Sequence, residues 1–76
     1  MNSYTVIYER GKRNWSAYVP DLPGCIATAK TRSLLRRRIR EALEFHIEGL
    51  ILSGEKAPLP TIEADRISVS AKRSVS

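Results

Sequence analysis

The sequence predicts an α+β domain of two layers, with its elements in the order βββαβ. Three observations carry this reading. Three short segments rich in β-branched and aromatic residues open the chain. One long stretch with helical periodicity follows, and a short alternating segment lies beyond two prolines.

Residues 3–9, Ser-Tyr-Thr-Val-Ile-Tyr-Glu, form the first predicted strand. Arg10-Gly11-Lys12-Arg13 is polar and contains a glycine, so it reads as a hairpin loop. Residues 14–19, Asn-Trp-Ser-Ala-Tyr-Val, form the second strand. Pro20-Asp21-Leu22-Pro23-Gly24 must turn the chain, because prolines donate no ladder hydrogen bonds and Gly24 can take positive φ. Residues 25–30, Cys-Ile-Ala-Thr-Ala-Lys, form the third strand. The short connections make these strands an antiparallel meander.

Thr31 offers an N-cap hydroxyl to a helix over residues 32–53. At 100° per residue, Leu35, Ile39, Ala42, Leu43, His46, Gly49 and Leu50 share one face. Gly54 stands where a C′ glycine should, and Pro58 and Pro60 prevent continuation. The last predicted strand runs from Arg66 to Ala71, with Ile67, Val69 and Ala71 alternating with Arg66, Ser68 and Ser70. Lys72 to Ser76 are expected to fray.

The meander has one more apolar face, and the helix has one apolar stripe, so the two must pack together. A crossover helix then places the fourth strand parallel to the first, on its free edge, in the order 3-2-1-4. The inward set is Tyr4, Val6 and Tyr8 with Trp15, Ala17 and Val19, joined by Cys25, Ala27, Ile67 and Val69. Ile7, Tyr18 and Ile26 fall on the other face, which has no helix to cover it and is a candidate contact surface.

Residues 1–76 make one domain with a modest core. Domains of this size often depend on disulfides, a metal or oligomerisation. Cys25 is the only cysteine, which excludes a disulfide within the chain and suits a reducing, cytoplasmic setting. Cys25 and His46 are the only soft ligands, too few for a structural zinc site. No cofactor motif appears. No targeting segment or membrane-spanning run is visible. A homodimer or higher oligomer is therefore expected. The surplus apolar residues Ile7, Ile26, Phe45, Ile47, Ile51 and Leu52 are its candidate contacts.

The net charge of +5 favours acidic partners or nucleic acid without choosing between them. Arg32, Arg36, Arg37 and Arg38 crowd the start of the helix, where the dipole disfavours cations. Arg36, Arg37 and Arg38 are thus either a solvated face or a patch for an acidic surface or RNA phosphate. Asp21, Leu22 and Tyr18 are further candidates for partner contact, although turn chemistry alone explains Asp21 and Leu22. His46 reads as a buried core histidine and Cys25 as a small core residue, each in preference to a catalytic role. Glu9, Glu41, Glu44, Glu48 and Asp65 do not converge as a two-metal nuclease requires, so an enzyme ranks last.

From Trp15 to Cys25 the sequence reads Trp-Ser-Ala-Tyr-Val-Pro-Asp-Leu-Pro-Gly-Cys. Thr31 follows at the helix start, then Glu41-Ala42-Leu43, His46, Gly49-Leu50 and Ser53-Gly54-Glu55, with Pro58 and Pro60. This pattern resembles the HicB antitoxin family, in its short form without a C-terminal DNA-binding module, and covers nearly the whole chain. The resemblance implies a degraded RNase H-like βββαβ fold. It also implies neutralisation, by direct masking, of a HicA-type toxin that cleaves mRNA. The chain departs from the family pattern at Ala29-Lys30, where glycine-aspartate is usual, and at Arg36-Arg37-Arg38, where acidic residues are favoured. The alternative is a small basic domain that binds RNA or DNA. Tyr18 is the one aromatic suited to a stacking platform on the open face, which is thin for that role.

Overall fold

The structure, a computed structural model, describes residues 3–70. Within them β1 (Ile7–Arg10), β2 (Trp15–Tyr18) and β3 (Ile26–Ala29) precede one helix, α1 (Arg32–Leu52). The strands pair antiparallel in the order β1-β2-β3. This is the expected meander followed by the expected helix.

The first strand starts later than its composition suggests. Ile7 pairs with Tyr18, the last residue of β2. Beyond it, Val19 donates its amide on the β3 side, to the Cys25 carbonyl at 3.1 Å, and the next residue that faces β1 is Pro20. Pro20 has no N–H to give. Tyr4 and Thr5 therefore lack ladder partners on β2, and their side chains bond elsewhere.

The turn after β2 is two β-turns in series. Leu22 N donates to Val19 O at 3.0 Å, and Cys25 N donates to Leu22 O at 3.0 Å. Each proline takes the second position of its turn, where a fixed φ is suited. Gly24, third in the second turn, has φ 88°, the value a type II turn demands there. Proline-aspartate-leucine-proline-glycine is thus the residue set this double turn calls for.

Both ends of α1 are capped as expected. The Thr31 hydroxyl accepts from Leu34 N at 3.2 Å. At the other end Glu55 N reaches Leu50 O at 2.9 Å and Gly54 N reaches Ile51 O at 3.0 Å, with Gly54 at φ 79°. These two bonds make a Schellman motif.

The core is Ala17, Val19, Leu22, Cys25, Ala29, Leu35 and Ile39, all buried. Ala17, Val19 and Cys25 fall on the face the alternation assigned inward. Tyr4, Val6, Tyr8 and Trp15 pack against the core while remaining half-buried. The helix lies over β3 and, less closely, β2, and leaves β1 at the margin.

The expected fourth strand is not part of this sheet. Residues 55–70 run without helix or strand, and nothing among the described residues pairs with the outer edge of β1. Ile67 and Val69, assigned to the inner face, are 79% and 86% exposed. Ala71 and the frayed end expected at residues 72–76 lie outside the described residues.

Side chains hold residues 58–62 where the sheet does not. The Asp21 carboxylate accepts from the Thr61 hydroxyl at 2.7 Å, the Thr61 amide at 3.2 Å and the Ile62 amide at 3.3 Å. The Tyr4 hydroxyl donates to the Pro58 carbonyl and the Thr5 hydroxyl to the Ile62 carbonyl. The Thr61 hydroxyl, and then the two amides, stabilise ionised Asp21 and hold its pKa below the ordinary 3.8. A lowered folded-state pKa makes the clamp fully effective above pH 3.8 and loosens it as acid titrates the carboxylate. In an NMR acid titration, the Thr61 and Ile62 amide shifts are expected to move with a midpoint below 3.8. Asp21→Ala should raise hydrogen exchange at these two amides to the level of their unpaired neighbours in 63–70. Unchanged protection in that variant would show that the clamp lies elsewhere.

Candidate partner interface

The sheet face turned away from α1 carries an apolar row. Ile7 pairs with Tyr18, and Tyr18 with Ile26, so one residue from each strand lines up across the sheet. Ile26 is 66% exposed and Tyr18 is exposed beside it, while Ile7 is half-buried. Cross-strand neighbours on one face stand close enough to act as a single surface. At the far end of the sheet, Arg10 sits over the Trp15 ring at 5.9 Å.

The three consecutive arginines do not act as one patch. All are exposed, but helical geometry points them in different directions. Arg38 leans onto the sheet and donates through Nη1 to the Thr28 carbonyl at 2.9 Å. Arg36 and Arg37 face open space with Ser33 and Arg40. Arg32, at the first helical position, covers the Tyr8 ring at 4.4 Å. This stacking offsets part of the cost of a cation at the helix N-terminus, where the first turn has no acidic residue. Of the helix arginines, those left facing open space are therefore Arg36, Arg37 and Arg40.

Two candidate contacts are redirected by the fold. Leu22 is 1% exposed, because the double turn folds its side chain back under the sheet into the core. The Asp21 carboxylate is engaged by Thr61 and Ile62. Both belong to the architecture of the turn.

On the helix, Phe45, Ile51 and Leu52 are exposed and Ile47 is half-buried against the core. Arg38 and Phe45 are seven residues apart and share a stripe on one flank of the core face. Ile47 and Ile51 lie on the other flank, beside β1, with Arg36 and Arg40. His46, expected to be buried, is half-buried. Cys25 is buried, and that burial pushes its thiol pKa up, away from the thiolate a nucleophile needs. Among the described residues no three of His, Cys, Asp and Glu come together as a metal site. No described helix is long and apolar enough to cross a membrane.

Sequence reasoning missed the Asp21–Thr61, Arg38–Thr28 and Arg32–Tyr8 contacts. Asp21 and Thr61 are 40 positions apart, and no local pattern marks either as the other's partner.

Residues 4–72 match the family described as HicB-like antitoxin of bacterial toxin-antitoxin system. The chain is 36% identical over 69 residues to a UPF0150 protein of Thermoplasma acidophilum, covering 90% of this chain and 97% of that one. It is 34% identical over 55 residues to an uncharacterised 14.9 kDa protein from the rep-hol intergenic region of Haemophilus phage HP1. That match takes in 72% of this chain but 41% of the phage protein. No solved structure matches.

Proposed function

Because the chain belongs to the HicB-like antitoxin family of bacterial toxin–antitoxin systems, we propose that it neutralises a HicA-type, mRNA-cleaving toxin by covering the toxin's active surface. The observation that carries this reading is the in-register row Ile7, Tyr18 and Ile26 on a sheet face that no helix or strand among the described residues covers. Such a row suits a protein partner, which would bury apolar surface there. The free arginines Arg36, Arg37 and Arg40 form a charged margin that steers an acidic region of the partner into place. The work is binding, not catalysis, and it takes place in the cytoplasm. The strands and helix are the part of a degraded RNase H-like layout that one chain supplies. The protein acts as a homodimer or a higher homo-oligomer, which its small core and exposed apolar residues favour.

The test is co-expression with the small protein encoded by the adjacent reading frame. Growth arrest by that protein alone, relief of arrest by this chain, and co-purification of the two are the expected results. Tyr18→Asp should abolish relief while leaving the fold intact, since the residue is exposed. Relief that survives Tyr18→Asp would remove the sheet face from the interface. RNA binding by the purified chain with a steep salt dependence, and no protein partner, would replace the antitoxin reading with the nucleic-acid one.

A further inference from the structure

A groove runs along the open edge of β1, between that strand and α1. At one end Tyr4, Leu43, Ile47 and Ile51 make it apolar, with Glu44, Glu48 and Arg40 on its rim. It continues past Val6 and Ile39, where Arg40 spans its middle, and ends at Arg36 and Arg37, near Tyr8. The groove thus changes along its length from apolar to basic. It lies where the fourth strand of a βββαβ domain belongs, and among the described residues nothing pairs with the sheet edge above it.

The chain carries a segment of matching chemistry that does not occupy this groove. Residues 63–70, Glu-Ala-Asp-Arg-Ile-Ser-Val-Ser, are all exposed. Their alternation puts Glu63, Asp65, Ile67 and Val69 on one face, acidic first and apolar after. The segment leaves the body of the domain. The radius of gyration is 15.7 Å and the long axis 54 Å, against about 11 Å of gyration radius for a compact domain of 76 residues.

Orientation decides whose segment fills the groove. Acidic residues over the arginines and apolar residues over Leu43 and Ile47 require the segment to run antiparallel to β1, entering at the Tyr8 end. In its own chain, residue 62 is fixed at the opposite end, where Thr5 bonds the Ile62 carbonyl and Asp21 holds the Ile62 amide. Running on from there, the segment would be parallel to β1. Glu63 and Asp65 would then lie beside Glu44 and Glu48, and Ile67 and Val69 beside the arginines. A second copy has no such constraint.

We propose that residues 63–70 of each protomer add as an antiparallel strand to the β1 edge of a second copy of this chain, so that two copies complete each other's sheets. The exchange deepens the homo-oligomer reading above and rests on it. It covers two groups that are costly to leave in water or open to unwanted pairing: the aliphatic residues Ile67 and Val69, and the bare backbone edge of β1. It places Ala64 of one copy beside Glu9 of the other, both on the outer face.

Light scattering of the 76-residue chain across the micromolar range should return a dimer or a larger even assembly. Ile67→Asp with Val69→Asp should give a monomer with an unchanged helical circular dichroism signal, because neither side chain supports the body of the domain. In a Cys25→Ala background, a Glu9→Cys chain mixed with an Ala64→Cys chain should form a disulfide between the two under mild oxidation. A wild-type monomer throughout that range would overturn the oligomer and the exchange together. An assembly that persists in the double aspartate variant would leave the oligomer standing and sink the strand exchange. So would the absence of a disulfide between the mixed chains.

Discussion

Leu22→Ala is expected to cost about 2–5 kcal/mol of folding stability, the range for truncating a buried leucine. The side chain is 1% exposed and sits in the core between sheet and helix. The site has little freedom to collapse around the missing atoms. The Leu22 amide is tied to Val19 and its carbonyl to Cys25, each at 3.0 Å, so the backbone cannot move inward to fill the space. Small domains hold only a few kcal/mol in reserve. The variant should therefore be largely unfolded at 37 °C, or show a much lower urea midpoint with the slope unchanged. The experiment also separates the two roles open to this residue. Were Leu22 a partner contact, the variant would unfold at the wild-type midpoint and fail only in binding.

Arg36→Glu with Arg37→Glu is expected to slow association with the partner by on the order of tenfold or more at low salt, with a smaller effect on dissociation. Both arginines are exposed and line open surface with Arg40, so they can steer a partner at long range. Strand exchange would bring Glu63 and Asp65 of a second copy near them. The rates are therefore compared in the Ile67→Asp, Val69→Asp background, where that contact is absent. Arg36→Glu removes the like-charge spacing to Arg40, whereas Arg37→Glu sets a second carboxylate one turn from Glu41, so the double variant should melt close to wild type. A variant of unchanged stability that is slower to bind could not be explained as a folding defect. Added salt should slow the wild-type association by the same screening and bring the two proteins together in rate. Arg38→Glu serves as the contrast. It removes the bond to the Thr28 carbonyl at 2.9 Å and so mixes a loss of helix–sheet contact into any change in binding. Equal association rates for the double variant and wild type at low salt would reduce Arg36 and Arg37 to a solvated face.

The three-stranded meander, the turn at residues 20–24, the helix and both of its caps were legible in the residues because their causes are local. Gly24 and Gly54 adopt the positive φ that their neighbours' turn and cap require, and Thr31 bonds an amide three residues away. Alternation placed Ala17, Val19 and Cys25 inward and Ile7, Tyr18 and Ile26 outward, since a strand's side chains change face at every residue. The destination of Leu22 was not legible. A leucine between two prolines can turn to solvent or to the core with the same backbone, and only the position of α1 chose the core.

Three features of the candidate site depended on distances in space. Arg36 and Arg38 are nearly identical in their sequence surroundings, yet β3 lies within reach of one and not the other. Asp21 finds its partners 40 and 41 residues away, where no periodicity extends. The last segment has the alternation of a strand, and alternation shows which residues share a face without showing which edge will receive them. Its own sequence therefore determined that residues 63–70 have an apolar and acidic side. The tertiary structure, through the Asp21 and Thr5 bonds to residues 61 and 62, decided that this side leaves its own sheet uncovered. Those bonds set the point and direction from which the segment departs, and a chain so held meets its own groove in the wrong orientation.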